Sequence, residues 1–314
     1  MTTTNPASRL NDLTVVIPNW NTPDLTIRCV EALVGEGVPH DRIVLVENGS
    51  TDDSYERLQA ELPECRLIRF EQNVGYGGAM NAGARELAGS AYLLLNNDAF
   101  VHTPGSLERL LATLDDPSVG IGFPRYLNVD LSLQPSVMPT HSPLTALVRA
   151  SGLSRLVPNR WAPKLSTHWD HDQAREIDGA NGAVMLFRGE TWERLGGFDE
   201  RIYIYAEEID ICWRARKAGW KIWFTPQAQF VHIGNGSAGK QWSDATREKL
   251  IAESESTVIR WHLPRLSAAA TIGLISTGVA ARWLAYSVVR NQEAAAAYRA
   301  SLRGFLSRNG QTQP

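Results

Sequence analysis

The chain has 314 residues, 43% of them hydrophobic, with 31 Lys and Arg against 34 Asp and Glu. This is globular composition, with room for one large domain or two smaller ones, and a net charge of -3 gives no basis for nucleic-acid binding. Cys29, Cys65 and Cys212 are odd in number, far apart and without a CxxC pair, which argues against a disulfide framework or a structural zinc and fits a reducing cytoplasm.

Met1 to Asp12 is polar, lacks an apolar signal core and is expected to be a frayed leader. Leu13 to Ile17 predicts a first strand, stopped by Pro18 and followed by Asn19-Trp-Asn21. A helical pattern starts at Asp24, with Leu25, Val30, Leu33 and Val34 on one side. Arg42 to Val46 predicts the second strand, ending on Glu47-Asn-Gly-Ser-Thr-Asp-Asp53, where Ser50 or Thr51 could cap the next helix. Leu67 to Phe70 follows as a third strand, then the glycine-rich turn Asn73-Val-Gly75-Tyr-Gly-Gly-Ala-Met-Asn81 into a helix carrying Leu87. Ala91 to Leu95 is a fourth strand, apolar throughout, as in a strand buried on both faces. It breaks into Asn96-Asn97-Asp98, residues that are common turn formers but also suit a hard cation and a ribose hydroxyl. Thr103-Pro104 is expected to open another helix, and Val119 to Phe123 a fifth strand.

Strands alternating with helices at this spacing predict an α/β fold with a doubly wound, mostly parallel sheet and flanking helices. The polar clusters after strands one, two and four then meet at the carboxyl ends of the strands, where such sheets bind ligands. A nucleotide fits there, although GxGxxG is absent after strand one and no GK[ST] follows the later glycines, which disfavours a nicotinamide enzyme and a phosphate-loop NTPase. Those glycines either let the backbone approach a ligand or simply form a helix-start turn.

Residues 126–176 are rich in Pro and Ser and predict an insertion over the site, with a short helix around Leu144, Leu147, Val148 and Leu153. Asp178-Gly-Ala-Asn-Gly182 leads into a strand from Ala183 to Phe187, then a helix from Glu190 to Leu195 and Gly196-Gly-Phe-Asp199-Glu200. Glu207 to Lys217 predicts a helix, acidic in its first turn, basic in its last, with Gly219 as the C′ glycine. The dipole alone could account for Glu207, Glu208 and Asp210, yet a carboxylate at a helix start facing a cleft also suits a general base. Trp220 to Phe224 and Ala228 to Val231 predict two strands, the second delivering His232 to a glycine-rich turn ending at Ser237. Leu266 to Ala281 is free of charge but, at sixteen residues, short of a membrane span of about 20. Arg282, Arg290, Arg299, Arg303 and Arg308 follow against the single acid Glu293. That pattern suits either an anionic membrane surface or a helix pair packed on the catalytic domain or a second copy.

Across roughly residues 13–262 the chain resembles the inverting glycosyltransferases of family 2, with the GT-A fold, and within them the rhamnosyltransferase-like branch. The resemblance rests on Val15-Val-Ile-Pro-Asn-Trp-Asn21, Val46 to Asp53, Asn73-Val-Gly75 with Asn81, Leu95-Asn-Asn-Asp98, Gly196 to Glu200, Glu207-Glu-Ile-Asp210 with Arg214, and His232 before Ser237. It implies a catalytic domain over 1–262, with 126–176 on the acceptor side, and a basic helical extension over 263–314. It assigns Glu208 as the catalytic base and Pro18, Asn19, Asn21, Glu47, Asn48, Asn73, Gly75, Asn81 and Asn97 to donor binding, with Glu47 reading the pyrimidine and Asn97 turned towards the ribose. Asp98 and His232 would hold Mg2+ or Mn2+, and Asp199, Glu200, Glu207 and Asp210 would shape the acceptor side. The helix start is expected to keep Glu208 ionised at neutral pH. Glu47 and Glu208 are each one methylene longer than the Asp usual at these places. The implied reaction transfers a sugar, L-rhamnose foremost, from a dTDP- or UDP-sugar to a glycan or polyprenyl-linked acceptor in envelope polysaccharide synthesis. The expected setting is cytoplasmic, in peripheral contact with the inner membrane face, with a homodimer as a further expected partner. Two alternatives are a catalytically silent nucleotide-sugar-binding scaffold and a sugar-nucleotide pyrophosphorylase. The latter would want an Arg/Lys-bearing glycine loop after strand one, which Asn19-Trp-Asn21 is not.

Overall fold

The computed structural model describes residues 9–151, 169–234 and 242–307. The leader up to residue 8, Leu153, Ser237 and Arg308 lie outside the described residues. A ten-stranded sheet runs in the order β3-β2-β1-β4-β9-β6-β10-β5, with β7 on β6 and β8 on β10. Its strands are β1 Leu13–Asn19, β2 Ile43–Asn48, β3 Arg66–Phe70, β4 Ala91–Leu95, β5 Ala99–Val101, β6 Val119–Leu127, β7 Leu133–Gln134, β8 Arg175–Glu176, β9 Val184–Arg188 and β10 Lys221–His232. The β3-β2-β1-β4 half is parallel, and β6 and β10 are parallel to each other. The strand β9 lies antiparallel between β4 and β6, so the whole sheet is mixed.

Alternation along the strands builds two cores, one on each face. Leu13, Val15, Ile17, Leu93 and Leu95 pack on one side with Cys29, Val30 and Leu33 of helix α1 (Pro23–Gly35). Val16, Tyr92 and Leu94 pack on the other with Ala79, Met80 and Ala84 of helix α3 (Gly75–Glu86) and Ile211 and Ala215 further on. This two-sided burial is why the central strands read as continuous apolar runs.

Several element boundaries differ from the sequence expectation, each for a local reason. β1 continues through Pro18 because β4 pairs only with Leu13 to Val16, so the missing N–H falls beyond that ladder. Helix α2 (Ser54–Glu61) starts after Asp53 without a side-chain cap, since the Ser50 hydroxyl instead accepts from the Asn21 N–H at 2.9 Å. Helix α4 (Ser106–Leu111) opens after Gly105, whose φ of +76° interrupts the chain past Pro104, and the short edge strand β5 precedes it. The two strands expected around 220–231 are one strand, β10, with an irregularity between Thr225 and Gln229.

The remaining helices are α5 (Pro143–Ala150), α6 (Gly189–Leu195), α7 (Glu207–Lys217), α8 (Asp244–His262), α9 (Arg265–Val288) and α10 (Gln292–Leu306). Helix α8 packs on the segment leading into α7, with Val258 against Ile202 and Ala206. Ala252 and Ile259 of α8, Ala268 and Ile272 of α9, and Phe305 of α10 form a separate small core. The charge-free stretch predicted at sixteen residues lies within a helix of 24, because α9 runs on through Arg282.

Candidate active site

The turn Asn96-Asn97-Asp98 carries the chain from the centre of the sheet at β4 to its edge at β5. β5 pairs with β10 in a register that sets Ala99 opposite His232, and the Ile233 N–H donates to the Asp98 carbonyl at 3.0 Å. The ladder thereby brings His232 Nε2 to 3.4 Å from Asp98 Oδ1, with both side chains largely buried. Among the described residues no third His, Cys, Asp or Glu joins this pair. One carboxylate and one imidazole suit a divalent cation whose remaining positions are taken by phosphate oxygens and water, so the residues fit Mg2+ or Mn2+.

The acidic helix start is positioned by unusual backbone. Tyr205 and Ala206 both take left-handed conformations, with φ of +65° and +68°, uncommon for residues with a Cβ and typical of over-determined functional turns. The Ser254 hydroxyl of α8 donates to the Ile204 carbonyl at 2.8 Å and holds this turn from behind. Two residues on, Glu207 is buried while Glu208 keeps partial access to solvent. Burial raises the Glu208 carboxyl to about 7, opposed by a backbone hydrogen bond and assisted by Glu255. Desolvation therefore outweighs the helix start that was expected to keep Glu208 ionised. Glu207 is pushed well above the carboxylate range by burial and by the neighbouring Glu208 charge.

A cleft of about 270 Å³ joins these parts; it is lined by Pro18, Asn19, Asn48, Asn73, Asn97, Asp98, His232, Glu207 and Glu208 from the sequence-derived set. Trp20, Tyr76, Asn96, Asn181, Gly182 and Tyr205 also line it. Trp20 and Asn181 sit inside motifs the sequence already marked, and polar or aromatic type next to those motifs was the available signal. Asn97 belongs to the cleft wall but turns its amide inward, donating to Thr22 Oγ1 at 2.8 Å and Thr26 Oγ1 at 2.9 Å rather than towards a ribose.

Other members of the set do not reach the cleft. Glu47 is buried and its Oε1 accepts from the Ser50 N–H at 2.8 Å, so it braces the turn after β2. Asn21 accepts from the Thr51 N–H at 2.8 Å and ties that turn to the end of β1. Gly75 has a φ of +82°, and a Cβ there would stand 2.2 Å from the Tyr203 carbonyl oxygen, so its close approach is to protein and not to a ligand. Asn81 donates to the Phe198 carbonyl and to Glu200, which also pairs with Arg85. Asp199 pairs with Arg201. Asp210 is buried between Arg214, at 2.7 Å, and His262, at 2.7 Å, and Arg214 also donates to the carbonyls of Leu195 and Gly197. These side chains hold the acidic helix and the 196–200 turn in place.

A second cavity of about 520 Å³ opens among α5, α7 and α8, and Glu208, Asn181 and Tyr205 border both spaces. Its walls are mixed in charge. Arg216 pairs with Asp178 at 3.1 Å, and His141 faces Glu255 at 3.1 Å with Arg149 at 3.9 Å from the same carboxylate. Burial lowers the His141 pKa. Sequence reading missed this cavity because its walls, among them Arg247 and Glu255, are distant in the chain and carry no local motif.

The sequence profile of Glycosyl transferase family 2 matches residues 14–166. The match spans just under half of the chain, which is similar to that family there. It is 29% identical over 232 residues to an N-acetylglucosaminyl-diphospho-decaprenol L-rhamnosyltransferase of Mycobacterium tuberculosis, covering 69% of this chain and 73% of that protein. Its fold is that of the GT-A structures: a Pyrobaculum calidifontis mannosyltransferase in complex with GDP-Man and Mn2+ superposes with a TM-score of 0.57 at 17% identity, over 94% of this chain and 85% of that one. S. aureus TarS in complex with UDP gives 0.51 at 12% identity, over 92% and 90%. The profile match and these relatives together support a glycosyltransferase.

Proposed function

We propose that this glycosyltransferase inverts the anomeric configuration of its sugar, with the nucleotide-sugar donor in the cleft beside Asp98 and His232 and the acceptor entering through the second cavity. The observation that carries this reading is that Glu208 borders both spaces. Glu208 takes the proton of an acceptor hydroxyl, whose oxygen forms a bond to the anomeric carbon as the bond from that carbon to the diphosphate oxygen breaks. Attack from the face opposite the leaving group inverts the configuration in one displacement. Asp98 and His232 are the residues that would hold Mg2+ or Mn2+, and the cation supplies charge neutralisation for the departing diphosphate.

The donor proposed is a pyrimidine diphosphate sugar, with dTDP-rhamnose ahead of UDP-sugars. Identity to a relative named as an L-rhamnosyltransferase supports the sugar. The base preference rests on the family resemblance, since Glu47 is turned into the protein. The same relative's name supports a polyprenyl-diphosphate-linked glycan as acceptor.

Calorimetry with UDP, dTDP and GDP in the presence of Mn2+, followed by transfer assays with Asp98→Ala and with EDTA, tests this reading. Loss of about 4 kcal/mol of charge stabilisation predicts a roughly thousandfold slower Asp98→Ala. Full activity in EDTA, or tighter binding of GDP than of either pyrimidine nucleotide, contradicts the cation or the base assignment respectively.

A further inference from the structure

We propose that Gln134 is the positioning residue that turns His232 Nε2 towards Asp98 and so sets the cation affinity of the pair. The proposal rests on the reading of Asp98 and His232 as the cation site. Gln134 ends the two-residue strand β7, which pairs with β6 through Tyr126 and Leu127. Its carboxamide Nε2 donates to Asn128 Oδ1 at 3.0 Å and to the backbone carbonyl of His232 at 3.1 Å. The Asn128 amide nitrogen is itself engaged, donating to Ser132 Oγ at 2.9 Å and to the Leu133 carbonyl at 3.4 Å. Asn128 therefore presents its oxygen to Gln134, and both partners of Gln134 Nε2 are acceptors. A reversed carboxamide would set an oxygen against each of them.

With the amide fixed in this way, Gln134 Oε1 faces His232 Nδ1 at 2.7 Å. An amide oxygen carries no hydrogen, so Nδ1 is the ring nitrogen that does. In the neutral ring the lone pair then sits on Nε2, 3.4 Å from Asp98 Oδ1. Two acceptors held face to face repel each other unless a positive charge lies between them, and a divalent cation supplies it as a proton on Nε2 would. Gln134 holds the backbone of His232 as well as its ring, so one side chain sets both the position and the tautomer. Behind the ring, Tyr126 packs at 5.9 Å between centroids. Its hydroxyl lies 2.8 Å from the Asn181 carbonyl and accepts from the Val184 N–H at 2.8 Å, which fixes the Tyr126 ring beside the imidazole.

The test is Mn2+ titration of the full chain followed by electron paramagnetic resonance, with and without UDP, for wild type, Asp98→Ala, Gln134→Leu and Gln134→Glu. Both Gln134 variants lose the two donations from Nε2, but only the Glu variant keeps an acceptor for His232 Nδ1–H. Gln134→Leu is expected to bind Mn2+ about 10–100-fold more weakly and Gln134→Glu within about threefold of wild type, with the melting temperatures of the metal-free variants close to each other. Equal weakening in both variants would mean that Gln134 merely supports the fold, which overturns the proposal. Wild-type affinity in Gln134→Leu overturns it while leaving the cation site intact. Equal Mn2+ binding by wild type and Asp98→Ala, or none by wild type, overturns the cation site and the role of Gln134 with it.

Discussion

Two adjacent glutamates carry the acid–base character of the site, and burial governs both. Glu207 is raised well above the carboxylate range and Glu208 to about 7, against an ordinary value of 4.5. If Glu208 is the base, it works in its deprotonated form. Transfer should then fall as pH drops below about 7, read as the acidic limb of a kcat profile; a flat profile between pH 5 and 8 contradicts it. Stability should move the other way. Carboxyls that bind protons more tightly when folded contribute stability that is full below about 4.5 and lost as pH rises through about 7. The melting temperature is expected to decline from pH 5 to pH 8 and to decline less in Glu207→Gln. Residue type and spacing marked Asp98, His232 and the acidic start of the Glu207 helix as candidates, and the family resemblance singled out Glu208. The inward turns of Glu47, Asn81 and Asp210 were not legible, because they follow from partners such as Ser50, Phe198 and His262 that no local pattern reveals.

Among the elements, the parallel half of the sheet was readable from alternation alone, and β4 and α7 coincide with their sequence-derived bounds. The short strands β5, β7 and β8 were not, since two or three residues carry no period and form only where a neighbouring strand recruits them. β5 matters most, for its pairing with β10 is what unites Asp98 and His232. The glycine-rich start of α3 was legible as a turn, whereas its reason lay in packing against the 203 carbonyl. Gly75→Ala combines a φ of +82° with a clash against backbone and is expected to cost about 2 kcal/mol or more, measured as a lower urea midpoint; an unchanged midpoint would refute that packing account.

At the scale of the molecule, three C-terminal helices tie the catalytic sheet to an apolar surface. Helix α9 is long and apolar enough to cross a membrane by length and composition, and only 28% of its apolar window is buried. One side packs on α8 and α10 through Ala268 and Ile272, while Leu284 and Val288 remain exposed near Arg282 and Arg290 in sequence and Leu266 is exposed at the other end of the helix. The packing reading drawn from the sequence accounts for one side of this helix. We propose that the exposed side meets the anionic membrane that carries the acceptor. Anionic liposomes should sediment the wild-type chain at low salt, and Leu284→Glu with Val288→Glu should abolish this without loss of transfer to a soluble acceptor. Equal sedimentation of the variant would contradict the membrane face.

The central claim is that Glu208, bordering both cavities, is the base that activates the acceptor. Transfer by Glu208→Gln, measured beside Glu207→Gln and Asp210→Asn together with each variant's donor affinity, tests it most directly. The account predicts a rate loss of about 10²–10⁴ in Glu208→Gln with donor affinity preserved. Near wild-type transfer by Glu208→Gln, with Glu207→Gln or Asp210→Asn inactive, would contradict it.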